Sequence, residues 1–92
     1  MNQLTICGYI AGLEMKQENE LYKIKFSICD QTSETNKMWF ACYLDTKKES
    51  TFKFMQEKIK NKQPFTVIGK MFYNYNAENE KTYINIKVQN FC

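Results

Sequence analysis

The chain is 92 residues long, 43% hydrophobic and 25% charged, with a formal net charge of +3. That suffices for one domain, residues 1–92, with its own core and no room for a second. No stretch approaches the ~18 apolar residues of a membrane span and no leader-like segment opens the chain, so no membrane association and a cytoplasmic location are expected.

Enzymatic chemistry is not expected. Histidine is absent, and phosphate-loop and nucleophile-elbow motifs are missing, which argues against an enzyme and against any cofactor. The four cysteines, Cys7, Cys29, Cys42 and Cys92, are too irregularly spaced for a metal site and are expected to be buried, reduced thiols.

Residues 4–10 place Leu4, Ile6, Gly8 and Ile10 on one side at period two, which predicts strand 1, with Gly8 at a bend or a close backbone approach. The polar run 14–20 predicts the first loop. Strand 2, residues 21–30, alternates Tyr22, Ile24, Phe26 and Ile28 against Lys23, Lys25, Ser27 and Cys29. A polar connector over 31–36 leads to strand 3, residues 37–44, where Met38, Phe40, Cys42 and Leu44 alternate with Trp39, Ala41 and Tyr43.

The period then changes to helical, with Phe52, Met55 and Ile59 on one face of a helix over 49–60. Thr46-x-x-Glu49 reads as a capping box, with Ser50 as a second cap candidate, and Asn61 and Pro64 mark the end. Strand 4, residues 65–75, points Phe65, Val67, Gly69 and Met71 inward and Thr66, Ile68, Lys70 and Phe72 outward. After a polar tip at 76–81, strand 5, residues 82–89, sets Ile84, Ile86 and Val88 against Tyr83, Asn85 and Lys87. The β-β-β-α-β-β order predicts an all-β fold with one helix, a five-stranded OB-fold barrel with the helix between strands 3 and 4, a fold that binds through strands 2 and 3 and two loops.

Four segments carry a resemblance. Asn2-Gln3-Leu4-Thr5-Ile6-Cys7-Gly8-Tyr9-Ile10, residues 22–29, Met38-Trp39-Phe40-Ala41-Cys42-Tyr43-Leu44 and Lys60-Asn61-Lys62-Gln63-Pro64-Phe65-Thr66-Val67-Ile68-Gly69-Lys70 occur in the order and spacing of the bacterial single-stranded DNA-binding protein family. The chain resembles that family over most of its length. The resemblance implies an OB-fold, sequence-independent binding of single-stranded DNA in replication, and a homo-oligomer or hetero-complex.

The chain departs from the family's pattern at three places. Asp45-Thr46-Lys47-Lys48 and a phenylalanine-bearing helix replace a Gly-Lys pair and a small-residue helix. Asp45 and Asn76 fall near two of the family's stacking aromatics, with Phe72 and Tyr75 as nearby substitutes. The family's acidic tail has no counterpart after Cys92, and in this the chain is similar to primosomal or replication-accessory OB proteins, which partner a primase, polymerase or helicase.

A binder of single strands needs flat side chains for bases and cations for phosphates. Strand parity puts Trp39 and Tyr43 on the outer wall beside Lys23 and Lys25, and Lys70 on the outward side of strand 4. Phe72, Tyr75 and Tyr83 cluster around the strand 4–5 hairpin. For each residue a plainer reading stays open: Trp39 as a core or interface aromatic, the lysines as a solvated face, the hairpin rings as local packing. All 13 basic residues are lysine, so the planar fork that reads guanine is missing and indifference to base sequence is expected.

Overall fold

The computed structural model describes residues 3–30 and 38–92, except for the side chains of Asp30, Met38, Thr82 and Tyr83. The connector expected at 31–36, the start of strand 3 at Lys37 and the inward side chain expected of Met38 lie outside the described residues. The elements are β1 (Gln3–Glu18), β2 (Leu21–Asp30), β3 (Met38–Thr46), α1 (Ser50–Lys60), β4 (Phe65–Asn76) and β5 (Lys81–Phe91). They close a barrel in the order β1-β2-β3-β5-β4. Each neighbouring pair is antiparallel except β3 with β5, which run parallel.

Alternation decides what fills the barrel. Ile24, Phe26 and Ile28 of β2, Phe40, Cys42 and Leu44 of β3, Phe65 and Val67 of β4, and Ile86 and Val88 of β5 are all buried, as period two requires of strands with one face turned inward. Met55 of α1, fully buried, packs against this core. Phe65 meets Phe26 edge-on at 5.9 Å and stacks on Phe91 at 5.6 Å between ring centroids. Phe54 of α1 lies against both Phe65 and Phe91.

Strand 1 does not stop where its alternation appears to. Residues 14–18, expected as loop, continue β1 and pair with β2 up to Glu18 opposite Leu21. Between Ala11 and Glu14 the register shifts, and Gly12 there has φ +61. This is a β-bulge with glycine in the left-handed region, and its extra residue reverses the inward parity. Leu4, Ile6 and Ile10 turn inward before it; Leu13 and Met15 pack against the core after it. The hairpin itself needs only Asn19 and Glu20, both at positive φ, a type I′ pattern that matches the twist of the flanking strands.

The helix ends also differ from expectation. No side chain caps the N-terminus; Thr46 Oγ1 instead accepts from the Lys48 amide at 3.1 Å, closing a turn ahead of the helix, and Ser50 is already helical. At the C-terminus Asn61 keeps φ −90 and Lys62, at φ 53, is the left-handed residue. The Gln63 amide donates to the Lys58 carbonyl and the Lys62 amide to the Ile59 carbonyl, the paired bonds of a Schellman motif. Ile59, expected on the apolar face, is 40% exposed, because the buried stripe runs through Thr51 and Met55.

Burial divides the cysteines. Cys29 and Cys42 are buried, whereas Cys7 and Cys92 are exposed, against the expectation that all are buried; all four are free thiols. Desolvation pushes the Cys42 thiol up to about 12. A thiol reagent at pH 8 should therefore label Cys7 and Cys92 quickly and reach Cys29 and Cys42 only after denaturant is added, since the thiolate is the nucleophile. Peptide mapping of the labelled native protein checks this. Rapid labelling of Cys42 would contradict the inward parity of β3.

Candidate nucleic-acid interface

The barrel's outer wall gathers side chains that are far apart in sequence. Lys25 lies opposite Tyr43, Tyr43 opposite Lys87, and Lys87 opposite Lys70, so one row crosses β2, β3, β5 and β4. The Lys25 ammonium stands 5.9 Å from the centre of the Tyr43 ring. Lys70 and Lys87 face each other across an antiparallel pair, an arrangement of like charges that disfavours the sheet unless an anion sits between them.

Tyr43 also meets Phe72, at 6.2 Å between ring centroids. These residues belong to β3 and β4, which β5 separates, so their backbones are about 10 Å apart. The two rings therefore lean toward each other across β5. Both are partly exposed, Tyr43 at 36% and Phe72 at 38%.

Trp39 is 55% exposed on the same wall, so its indole is not a core ring. It sits opposite Cys29, which in turn sits opposite Tyr9, and this second row carries no lysine. Four residues along β3 put Trp39 and Tyr43 about 13 Å apart. They are thus two separate flat surfaces rather than one.

Lys23 has a different environment from Lys25. Its ammonium lies 3.7 Å from Glu18, both half exposed, with Asp45 opposite on β3 and Lys16 opposite on β1; Lys25 has Glu14 opposite on β1 but, among the described residues, no ion pair. The Lys23 charge is partly balanced already. A cavity of about 410 Å³ lies beside it, lined by Glu14, Met15, Lys16, Lys23, Lys25 and Tyr43 among others, a volume within the range of small-ligand sites.

Phe72 and Tyr75 are not brought together. An odd separation along β4 puts them on opposite faces of the β4–β5 arm, and Tyr75 is 66% exposed there, on the face shared with Tyr73. Among the described residues neither tyrosine makes a ring contact. The Tyr83 side chain lies outside the described residues; its backbone pairs with Asn74.

Two wall residues were not singled out from sequence. Lys87 was placed on the outward side of its strand, but its role depends on the parallel β3–β5 pairing, which no local pattern announces. Tyr9, 40% exposed, shares the row of Trp39 because β1 joins β2 at that point.

No protein-family model matches the chain, and no curated protein matches it in sequence. Solved structures do match. A small single-stranded DNA-binding protein from Mycoplasma pneumoniae aligns with a TM-score of 0.58 at 10% identity, covering 100% of this chain and 92% of that one. The mitochondrial single-stranded DNA-binding protein Rim1 of S. cerevisiae aligns in one crystal form with a TM-score of 0.66 at 14% identity, and in another with 0.60 at 15%, each covering 98% of this chain and 91% of Rim1.

The fold is the OB-fold. In this fold the face of strands 2 and 3 is the common place for oligonucleotides and oligosaccharides, and the row from Lys25 to Lys70 extends that face of the OB barrel across β5 onto β4. Among the described residues no three metal-ligating side chains gather, and no helix is long and apolar enough to cross a membrane.

Proposed function

We propose that this protein binds single-stranded DNA, indifferent to base sequence, on the outer wall of β2, β3, β5 and β4, and serves DNA replication in the cytoplasm without enzymatic activity. The observation that carries the reading is the row in which Tyr43 stands between Lys25 and Lys87, with Lys70 beyond and the exposed rings of Phe72 and, further along, Trp39 on one side of it. Cations at strand spacing suit phosphates; the rings suit bases. The site comprises Trp39, Tyr43, Phe72, Lys25, Lys70 and Lys87, with Lys23, Tyr75 and Tyr83 peripheral. Similarity of fold to proteins named for binding single-stranded DNA supports it. The working form is a homo-oligomer or a complex with another replication protein.

Titration of Trp39 fluorescence with oligo-dT at several salt concentrations tests the reading. Neutralisation of three phosphates by Lys25, Lys70 and Lys87 predicts a log–log salt slope near roughly −2 for a single strand. No quenching and no salt dependence would remove the proposal. Within it, Lys25→Ala should flatten the slope by about 0.7, while Lys23→Ala changes it less because that ammonium is already paired with Glu18. Equal effects of the two substitutions would show that the Glu18 pair does not keep Lys23 from the phosphates.

A second reading is an OB-fold accessory subunit for a primase, polymerase or helicase with weak DNA binding of its own. The exposed apolar residues Phe54 and Ile59 on α1, away from the lysine row, favour it. In that case Phe54→Asp, rather than Tyr43→Ala, abolishes assembly with the replication partner.

A further inference from the structure

Asn85 is on the outward side of β5, yet it is only 4% exposed. Its neighbours in the strand, Ile84 and Ile86, turn toward the core, and it pairs with Ala41 on one side and Phe72 on the other. Tyr43 and Phe72, whose rings meet across β5, flank it from the two neighbouring strands. Within the described residues its carboxamide makes no hydrogen bond, and no fully buried side-chain nitrogen or oxygen there is left without a partner. The amide tip therefore reaches the surface through the small area left to it.

Beside it on the neighbouring strands runs a strip of small side chains. Ala11 lies opposite Ser27, Ser27 opposite Ala41, and Ala41 opposite Asn85, so one low row crosses β1, β2, β3 and β5. On one side stand Tyr9 and Trp39; on the other stand Lys25 and Tyr43. The register thus sets a row of small residues, ending at an amide without a hydrogen bond, between one row carrying Tyr9 and Trp39 and another carrying Lys25 and Tyr43.

We propose that Asn85 is a base-edge contact, hydrogen-bonding the Watson–Crick edge of a nucleotide base stacked against Tyr43; this rests on the single-stranded DNA reading above. A base lying against that wall points its edge down toward the low row, where a large side chain would block it. Thymine N3–H then donates to Asn85 Oδ1, and a thymine carbonyl oxygen accepts from Asn85 Nδ2. Every base offers an adjacent donor and acceptor on that edge, and a half-turn of the carboxamide exchanges its own donor and acceptor. The contact senses that a base is present without choosing which one. It thereby adds hydrogen bonding to stacking while keeping indifference to sequence.

The test combines a modified ligand with a variant. The wild-type protein is titrated with oligo-dT and with an oligomer of the same length built from N3-methylthymidine, whose methyl group blocks the edge but leaves the ring face and phosphates intact. Wild type should bind the methylated oligomer about tenfold more weakly, the effect of one or two hydrogen bonds to a partly buried group. Asn85→Leu should bind both oligomers alike, at the weaker affinity and with an unchanged salt slope. Its melting temperature should equal or exceed that of wild type, because an unpartnered amide has been replaced by an apolar group of similar size. Equal binding of the two oligomers by wild type would overturn the assignment whatever the variant does, as would methyl sensitivity that persists in Asn85→Leu. Failure of wild type to bind oligo-dT at all would overturn both this assignment and the DNA-binding reading.

Discussion

Gly8→Ala should destabilise the protein by about 3 kcal/mol or more, lowering its melting temperature by roughly 12–24 °C. Gly8 is the last residue of β1 paired with β4, opposite Phe65, and Tyr9 is the first paired with β2, opposite Cys29. At that crossing the backbones approach closely. A Cβ on Gly8 would stand 2.0 Å from the Cys29 carbonyl oxygen and 2.7 Å from its carbon, main-chain atoms of β2 that cannot swing aside. Relief requires β1 and β2 to separate, and the barrel opens at its seam.

Gly12→Ala provides the contrast. A Cβ there meets nothing within 4 Å, but the residue has φ +61, so only the left-handed backbone resists substitution. The expected loss is about 1 kcal/mol. Thermal melts followed by circular dichroism separate the two cases. Similar losses at both positions would mean that the close approach at the crossing does not hold the barrel.

Tyr43→Ala should weaken binding of oligo-dT by about 30-fold to 100-fold, corresponding to roughly 2–3 kcal/mol, the upper part of the range for a stacked base. Its ring joins three features: the Lys25 ammonium above it, Phe72 against it and Lys87 opposite on β5. Removing it takes away a stacking surface and also frees the two groups it positions. Trp39→Ala should cost about tenfold, because the indole stands about 13 Å along the strand with no lysine in its row. For both variants the salt slope should be unchanged, since no phosphate contact is lost. Tyr43→Phe should bind nearly as wild type, which separates the ring from its hydroxyl. A larger loss at Trp39 than at Tyr43 would move the centre of the site to the row of Tyr9 and Cys29.

The lysine row also explains how a chain of modest charge could hold a polyanion. A net charge of +3 makes a weak overall field, so position has to do what number does not. Placing Lys87 opposite Lys70 concentrates charge at the cost of mutual repulsion, which a bound phosphate would relieve. The absence of arginine fits a surface that contacts phosphates as point charges without reading base edges through a guanidinium fork.

Sequence by itself determined the elements and, for most strands, which side chains face inward. Ile24, Phe26 and Ile28, or Phe40, Cys42 and Leu44, alternate with polar or aromatic neighbours, and burial of one face follows from a backbone of period two. The same parity put Trp39, Tyr43 and Lys25 on the outer wall. Local pattern failed where one residue breaks the count: the bulge at Gly12 reverses parity, so the polar-looking run 14–18 read as loop although Met15 packs on the core. It failed likewise at the helix ends, where backbone bonds from Lys62 and Gln63, and no side-chain cap, decide the boundary. Tertiary structure alone decided which strands are neighbours. Barrel closure sets β5 between β3 and β4, and pairing of residues more than 40 positions apart brings Lys87 to Tyr43 and Asn85 to Ala41. Such contacts depend on how the sheet closes on itself, a property of the whole chain that no window of neighbouring residues contains.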